Sequence, residues 1–146
     1  MSLVEFDGAR LALAINLELS HGRHGAAARV ELLERAGRRV ARVDLSGWVE
    51  EVAMGRFERA VLDLAGRGVE GLILDCSRLR HVDHRCMPRL TVAMAPFALR
   101  REGLAVLGLS PGLRERYLRS ENAARADRAD SSPVAVPAAG EREWTS

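Results

Sequence analysis

Residues that could do chemistry are concentrated in one short segment, residues 81–90, which reads HVDHRCMPRL. The segment combines two imidazoles, a carboxylate, a thiol and two guanidinium groups. Such a set could bind a metal ion, activate a cysteine, or form the polar part of a surface that binds another protein. Which of these functions applies depends on the elements that position the segment, and these are predicted from the rest of the chain.

The candidate metal ligands do not follow the spacing of small zinc modules. They are Cys76, His81, Asp83, His84 and Cys86, in the order C-x4-H-x2-H-x-C around the aspartate. Zinc modules use paired C-x2-4-C and H-x3-5-H motifs instead. Cys86 at a helix N-terminus could form a thiolate of low pKa, although a histidine two residues away on a helix would not face it. A metal- or thiol-linked sensor that uses His81, His84 and Cys86 therefore stays open as an alternative.

The sequence contains no Ser-His-Asp order, nucleophile elbow or glycine-rich phosphate loop. We therefore predict that the protein is not an enzyme and uses no cofactor. All 22 basic residues are arginine, the net charge is only +2, and acidic residues are interspersed among the basic ones. Since nucleic-acid binders cluster their basic residues on one face, no nucleic-acid partner is expected.

The composition also bears on the compartment. A chain of 146 residues with two cysteines fits one domain without a disulfide framework, which is typical of a reducing environment. No segment reaches the ~18 apolar residues that a membrane-spanning helix needs. The protein is therefore expected to be cytoplasmic, with no direct membrane insertion.

Hydrophobic periodicity predicts an alternation of strands and helices. Strict apolar alternation predicts a strand at 11–19, and two further strands at 29–35 and 40–47 form a hairpin. The following elements are a helix at 49–66, a buried strand at 69–77, a helix at 84–103, a strand at 104–109 and a helix at 110–121, where Ser110 is the expected N-cap. The chain thus divides into an extra N-terminal strand and loop (1–28), a domain (29–121) and a disordered tail (122–146).

Four short motifs of this predicted domain resemble the STAS domain, the family of the anti-sigma-factor antagonists. The motifs are Leu45–Gly47 (LSG), Asp75–Ser77 (DCS), Asp83–Cys86 (DHRC) and LAVLGLS at 104–110, and the resemblance covers roughly residues 29–120. The resemblance implies an α/β fold with a mixed β-sheet and helices packed mainly on one face. It also implies a non-enzymatic protein–protein interaction module of a bacterial regulatory complex, with an anti-sigma-type kinase or another regulatory protein as its partner.

The motif at 83–86 departs from the family pattern at the position that matters most. The family carries D-S-S-G there, and a kinase phosphorylates the second serine. In this chain Arg85 stands at that position, His84 replaces the first serine and Cys86 replaces the glycine. Phosphorylation would add about two negative charges at a helix N-terminus, whereas arginine has no hydroxyl and carries the opposite charge. The resemblance therefore implies docking without control by serine phosphorylation.

The predicted contact surface is the loop at 78–83 together with the helix start at 84–91. The candidate partner-binding residues are Asp83, His84, Arg85, Cys86, Met87 and Arg89. Some STAS relatives belong to membrane lipid-transport complexes, and a subunit of such a complex is a second alternative. The N-terminal strand must bury its apolar face, either by extending the sheet or by pairing with another chain in a homodimer.

Overall fold

The computed structural model describes residues 9–130. They form one layer of five strands and one layer of three helices. The strands are β1 (Arg10–Ser20), β2 (Ala26–Arg35), β3 (Arg38–Val49), β4 (Gly71–Val82) and β5 (Leu104–Leu107). The helices are α1 (Glu51–Gly66), α2 (Met87–Ala98) and α3 (Pro111–Asp130).

Within the described residues, the five strands form one mixed sheet in the order β1-β2-β3-β4-β5. Strands β1 to β3 are antiparallel, whereas β4 runs parallel to both β3 and β5. The hairpin between β2 and β3 turns through Ala36 and Gly37, whose φ angles are 53° and 79°. Two successive positive φ values match the right-handed twist of the paired strands, so this turn fixes the hairpin register.

All three helices lie on the same side of the sheet. Helix α1 contacts β1, β2 and β3, helix α2 contacts α1, β4 and β5, and α3 packs against α2. One large apolar core fills the space between the sheet and these helices. The predicted α/β class, with a mixed sheet covered mainly on one face, is therefore confirmed, and the arrangement is compatible with a STAS-like fold.

The extra N-terminal strand belongs to the same sheet as the rest. β1 pairs along its whole length with β2, and the predicted boundary between residues 28 and 29 falls inside β2. The expected alternation holds from Leu13 onwards, but a register shift at Ala12 pairs Leu11 with Leu33 and Leu13 with Leu32. Because adjacent residues of β2 point to opposite faces, Leu11 lies on the face opposite to Leu13.

The last helix begins as predicted but ends later. The Ser110 hydroxyl accepts a hydrogen bond from the Leu113 backbone N–H at 3.4 Å, which confirms the expected N-cap. α3 then continues to Asp130, so residues 122–130 are helical and the prediction of disorder is wrong for them. This part is rich in alanine and arginine, which favour helices, and Glu121 pairs with Arg125 one turn later. Residues 131–146 of the predicted tail lie outside the described residues.

Candidate functional site

The segment expected to be a contact loop is largely a strand. Residues 78–82 continue β4, whose end lies beside the end of β3, with Arg78 opposite Ser46 and Val82 opposite Val49. Two register shifts accommodate the additional residues of β4 in this stretch. The predicted loop at 78–83 is therefore wrong up to residue 82, and only the turn at 83–86 connects the strand to α2.

Asp83 builds that turn. Its carboxylate oxygen Oδ1 accepts the backbone N–H of Arg85 at 3.1 Å, and its carbonyl accepts the backbone N–H of Cys86 at 2.8 Å. The hydrogen bond from Arg85 and the neighbouring charges of His84 and Arg85 lower the pKa of the Asp83 carboxyl. Asp83 thus stabilises the turn that precedes α2, because α2 begins at Met87 rather than at the predicted His84.

His84 and Arg85 are the exposed residues of the turn. The His84 side chain is 80% exposed, and its Nδ1 lies 3.3 Å from Oδ1 of Asp83. Arg85 is also exposed, and within residues 9–130 its guanidinium has no hydrogen-bond or ion-pair partner. The hydrogen-bonded turn therefore presents one imidazole and one unpaired cation to the outside.

Cys86 and Met87, by contrast, are not surface residues. Both side chains are buried in the main core, together with Leu90 and Met94 of the same helix. The reason is helical spacing, since Cys86, Leu90 and Met94 follow one another at intervals of four residues on the face that meets the sheet. Neither side chain is therefore exposed in this structure, and the prediction that Cys86 and Met87 contact a partner stays untested.

Arg89 is half-buried and already engaged in ion pairs. Its guanidinium donates to both carboxylate oxygens of Glu58, at 2.7 and 2.9 Å, and to Glu51 at 2.8 Å. These two glutamates lie on α1, so Arg89 links the two helices. The contact lowers the pKa of the Glu58 carboxyl and raises the pKa of the Arg89 guanidinium. The structure thus gives Arg89 a helix-joining role instead of a free charge for a partner.

The residues of the metal- or thiol-sensor alternative do not converge. Within the part of the chain that the structure describes, no three His, Cys, Asp or Glu side chains are placed to hold a metal ion. Burial raises the pKa of the Cys76 thiol to about 12, and burial next to Asp83 also raises the pKa of Cys86. A reactive cysteine needs the opposite shift, so the structure gives neither thiol the environment of a sensor.

An aromatic stack beside the turn was missed by sequence reasoning. Half-buried Trp48 lies between His24 and His81, with ring centroids 4.1 and 4.9 Å apart, respectively. Since β3 and β4 are parallel and end at the same edge, the pairing of Trp48 with His81 follows from that topology. His24 comes from the loop between β1 and β2, for which the sequence carried no comparable signal.

We call Trp48, His81, Asp83, His84 and Arg85 the docking surface. His81 is close enough to Asp83 for its charge to contribute to the lowered pKa of that carboxyl, and the Asp83 backbone N–H donates to the Val49 carbonyl at 2.9 Å. The surface therefore combines an aromatic face, imidazoles and one unpaired guanidinium at one edge of the sheet. Aromatic rings and arginine are the side chains that protein interfaces favour.

No protein-family model matches the chain, and no curated protein is significantly similar to it. A function can therefore be inferred only from the residues and contacts of this structure. Between residues 9 and 130, no helix has both the length and the apolar character that crossing a bilayer requires.

Proposed function

We propose that this chain is a STAS-like protein-interaction domain of a bacterial regulatory complex, which binds its partner through the docking surface and catalyses no reaction itself. The observation that carries the proposal is the unpaired guanidinium of Arg85, held on an Asp83 turn beside the Trp48 stack. In the resemblance to STAS antagonists, Arg85 occupies the place of the phosphorylated serine, so recognition here depends on a permanent positive charge.

The permanent positive charge of Arg85 indicates which chemical group the partner presents to it. A carboxylate pairs with a guanidinium through two parallel hydrogen bonds, and desolvation at an interface strengthens such a pair. We therefore infer an acidic position on the partner surface opposite Arg85, next to an apolar contact for the indole of Trp48. His84 and Asp83 add polar contacts around this pair.

The test is an affinity capture that compares three forms of the full chain: wild type, Arg85→Glu and Arg101→Glu. Arg101 is the matched control, because it is also exposed but lies in the turn after α2, outside the docking surface. The proposal requires a protein that wild type and Arg101→Glu capture and Arg85→Glu does not. Equal capture by all three forms contradicts it, provided that circular dichroism shows that the variants are folded.

The identity of the captured protein then separates two versions of the proposal. An anti-sigma-type kinase or a related regulator supports the regulatory complex, whereas components of a membrane lipid-transport assembly support the alternative role. Arg85→Ser adds a further measurement with a captured kinase. Incorporation of phosphate at the restored serine would support the match between residues 83–86 and the D-S-S-G motif.

A further inference from the structure

The two edges of the sheet are built very differently. β5, at one edge, has four residues, whereas β1, at the other edge, has 11. Among the described residues β1 pairs only with β2, so its outer backbone edge has no strand beside it. Proteins usually protect a long edge strand with charges, proline or a covering element, since an exposed edge can pair with another chain.

The outer edge of β1 is also apolar. Between Leu11 and Leu17 the strand carries no charged residue and no proline, and Leu11, Leu13 and Ile15 are each at least 42% exposed. An open groove of about 440 Å³ runs between β1 and α1. Its apolar wall is formed by Ile15, Leu17, Leu19, Val30, Ala60 and Leu64. The structure thus leaves an unpaired backbone edge directly beside an apolar surface.

We propose that a second copy of this chain pairs antiparallel with β1, so that two sheets join into one continuous ten-stranded sheet. The charges at the ends of β1 favour this occupant. Arg10 at the start of the strand pairs with Glu34, and Glu18 near its end pairs with His21, so an antiparallel pair centred near Ala14 brings together strand ends whose charges are already balanced. No like charges meet along the apolar stretch between them.

The antiparallel register also matches the side chains. Pairing centred at Ala14 sets Leu13 opposite the partner's Ile15, and the two-fold symmetry of the pair repeats this contact. Leu11 takes no part in it, because the register shift at Ala12 turns Leu11 to the other face of the sheet. In the central part of the strand, odd-numbered residues of both copies then lie on the helix-covered side, next to the apolar groove. The dimer would therefore satisfy the free backbone groups of β1 and cover the exposed Leu13 and Ile15 side chains at the same time.

The first measurement is the solution mass by light scattering during size-exclusion chromatography. Wild type is expected at twice the chain mass of 16.0 kDa, and Ile15→Arg is expected at half the wild-type value, because the substitution sets a buried cation at the junction. Leu118→Arg is the control, since Leu118 on α3 is 45% exposed and Ile15 is 42% exposed. The control should retain the dimer mass.

A second variant keeps the test independent of any effect of Ile15→Arg on folding. Ala14→Cys lies at the centre of the pairing, so mild oxidation should link two chains covalently, whereas Leu118→Cys should give little linked product. The two natural cysteines are buried and should not contribute. A monomeric wild type at every concentration, a dimer that survives Ile15→Arg, or equal cross-linking of both cysteine variants would overturn the proposal.

Discussion

The two faces of the sheet carry very different side chains, although both come from the same strands. On the helix-covered face, Val43 and Leu74 are almost fully buried against α1 and its neighbours. On the open face, Arg78 pairs with Asp44 at 2.5 Å and Arg42 lies 3.5 Å from Asp75. Val43 and Asp44 are adjacent in sequence, so strand alternation alone separates the two environments.

This difference separates the residues that stabilise the fold from the residues available for recognition. Burying a large apolar side chain contributes about 1.5–3 kcal/mol, whereas an exposed ion pair contributes about 0–1 kcal/mol. The covered face must therefore provide most of the stability. The open face can carry the Trp48 stack and the turn at 83–85 at its edge without weakening the core.

The strongest test of this comparison is a truncation on the covered side. Phe57 of α1 is 1% exposed, whereas Leu62 on the same helix is 70% exposed. We expect Phe57→Ala to lower the free energy of unfolding by about 3–5 kcal/mol, because it removes buried surface and leaves a cavity. Leu62→Ala should change it by less than ~0.5 kcal/mol. Urea denaturation followed by circular dichroism measures both values, and similar losses would contradict the assigned core.

The second test concerns the close contact between Gly47 of β3 and the loop that joins β1 and β2. Gly47 has a φ of 90°, and a Cβ atom there would collide with the Gly25 carbonyl oxygen. We expect Gly47→Ala to destabilise the fold by about 2 kcal/mol or more, through backbone strain and displacement of the loop that carries His24. The same denaturation measurement applies.

Gly66 provides the matched control for this substitution. It ends α1, its φ is not positive, and a Cβ atom would meet nothing within 4 Å. Gly66→Ala should therefore raise the free energy of unfolding by up to about 1 kcal/mol. If both alanine variants behaved alike, the close approach of Gly47 to the loop would not be a constraint in solution.

Much of the architecture could be predicted from the sequence because periodicity reports directly on burial. The alternation in β1, the helical stripe of α1 and the continuous apolarity at the start of β4 each identify an element and its inner face. The hairpin of the second and third strands and the N-cap at Ser110 were also predicted from local patterns. These are local signals, and the structure confirms the elements that rest on them.

The residues of the candidate site were harder to predict, because within residues 83–87 some side chains point into the core and others point to solvent. Cys86 and Met87 belong to the same polar segment as His84 and Arg85, but the start of α2 at Met87 places them inward. The sequence also gave no sign that Arg89 meets Glu51 and Glu58, which lie 38 and 31 residues away. Such contacts between distant segments carry no local pattern.

The smallest changes in the free energy of unfolding are expected at ion pairs near the surface. Arg89 on the helix-covered side and Arg78 on the open face allow the two sides to be compared. Arg89→Met removes the link between α1 and α2 and should lower the free energy of unfolding by about 1 kcal/mol at pH 7, since the arginine serves two carboxylates and is half-buried. Arg78→Ala on the open face breaks a more exposed pair, and we expect less than ~0.5 kcal/mol.

The pH dependence of stability tests whether Arg89 acts through its charge. Because Arg89 lowers the pKa of Glu58 below its ordinary value of 4.5, the folded state binds fewer protons there than the unfolded state does. This stabilisation is fully present above pH 4.5 and is lost as the pH falls through the lowered pKa of the folded protein. The difference between wild type and Arg89→Met should therefore shrink between pH 6 and pH 3 in urea titrations. A constant difference would mean that Arg89 stabilises the helix pair by packing of its aliphatic stem instead of by charge.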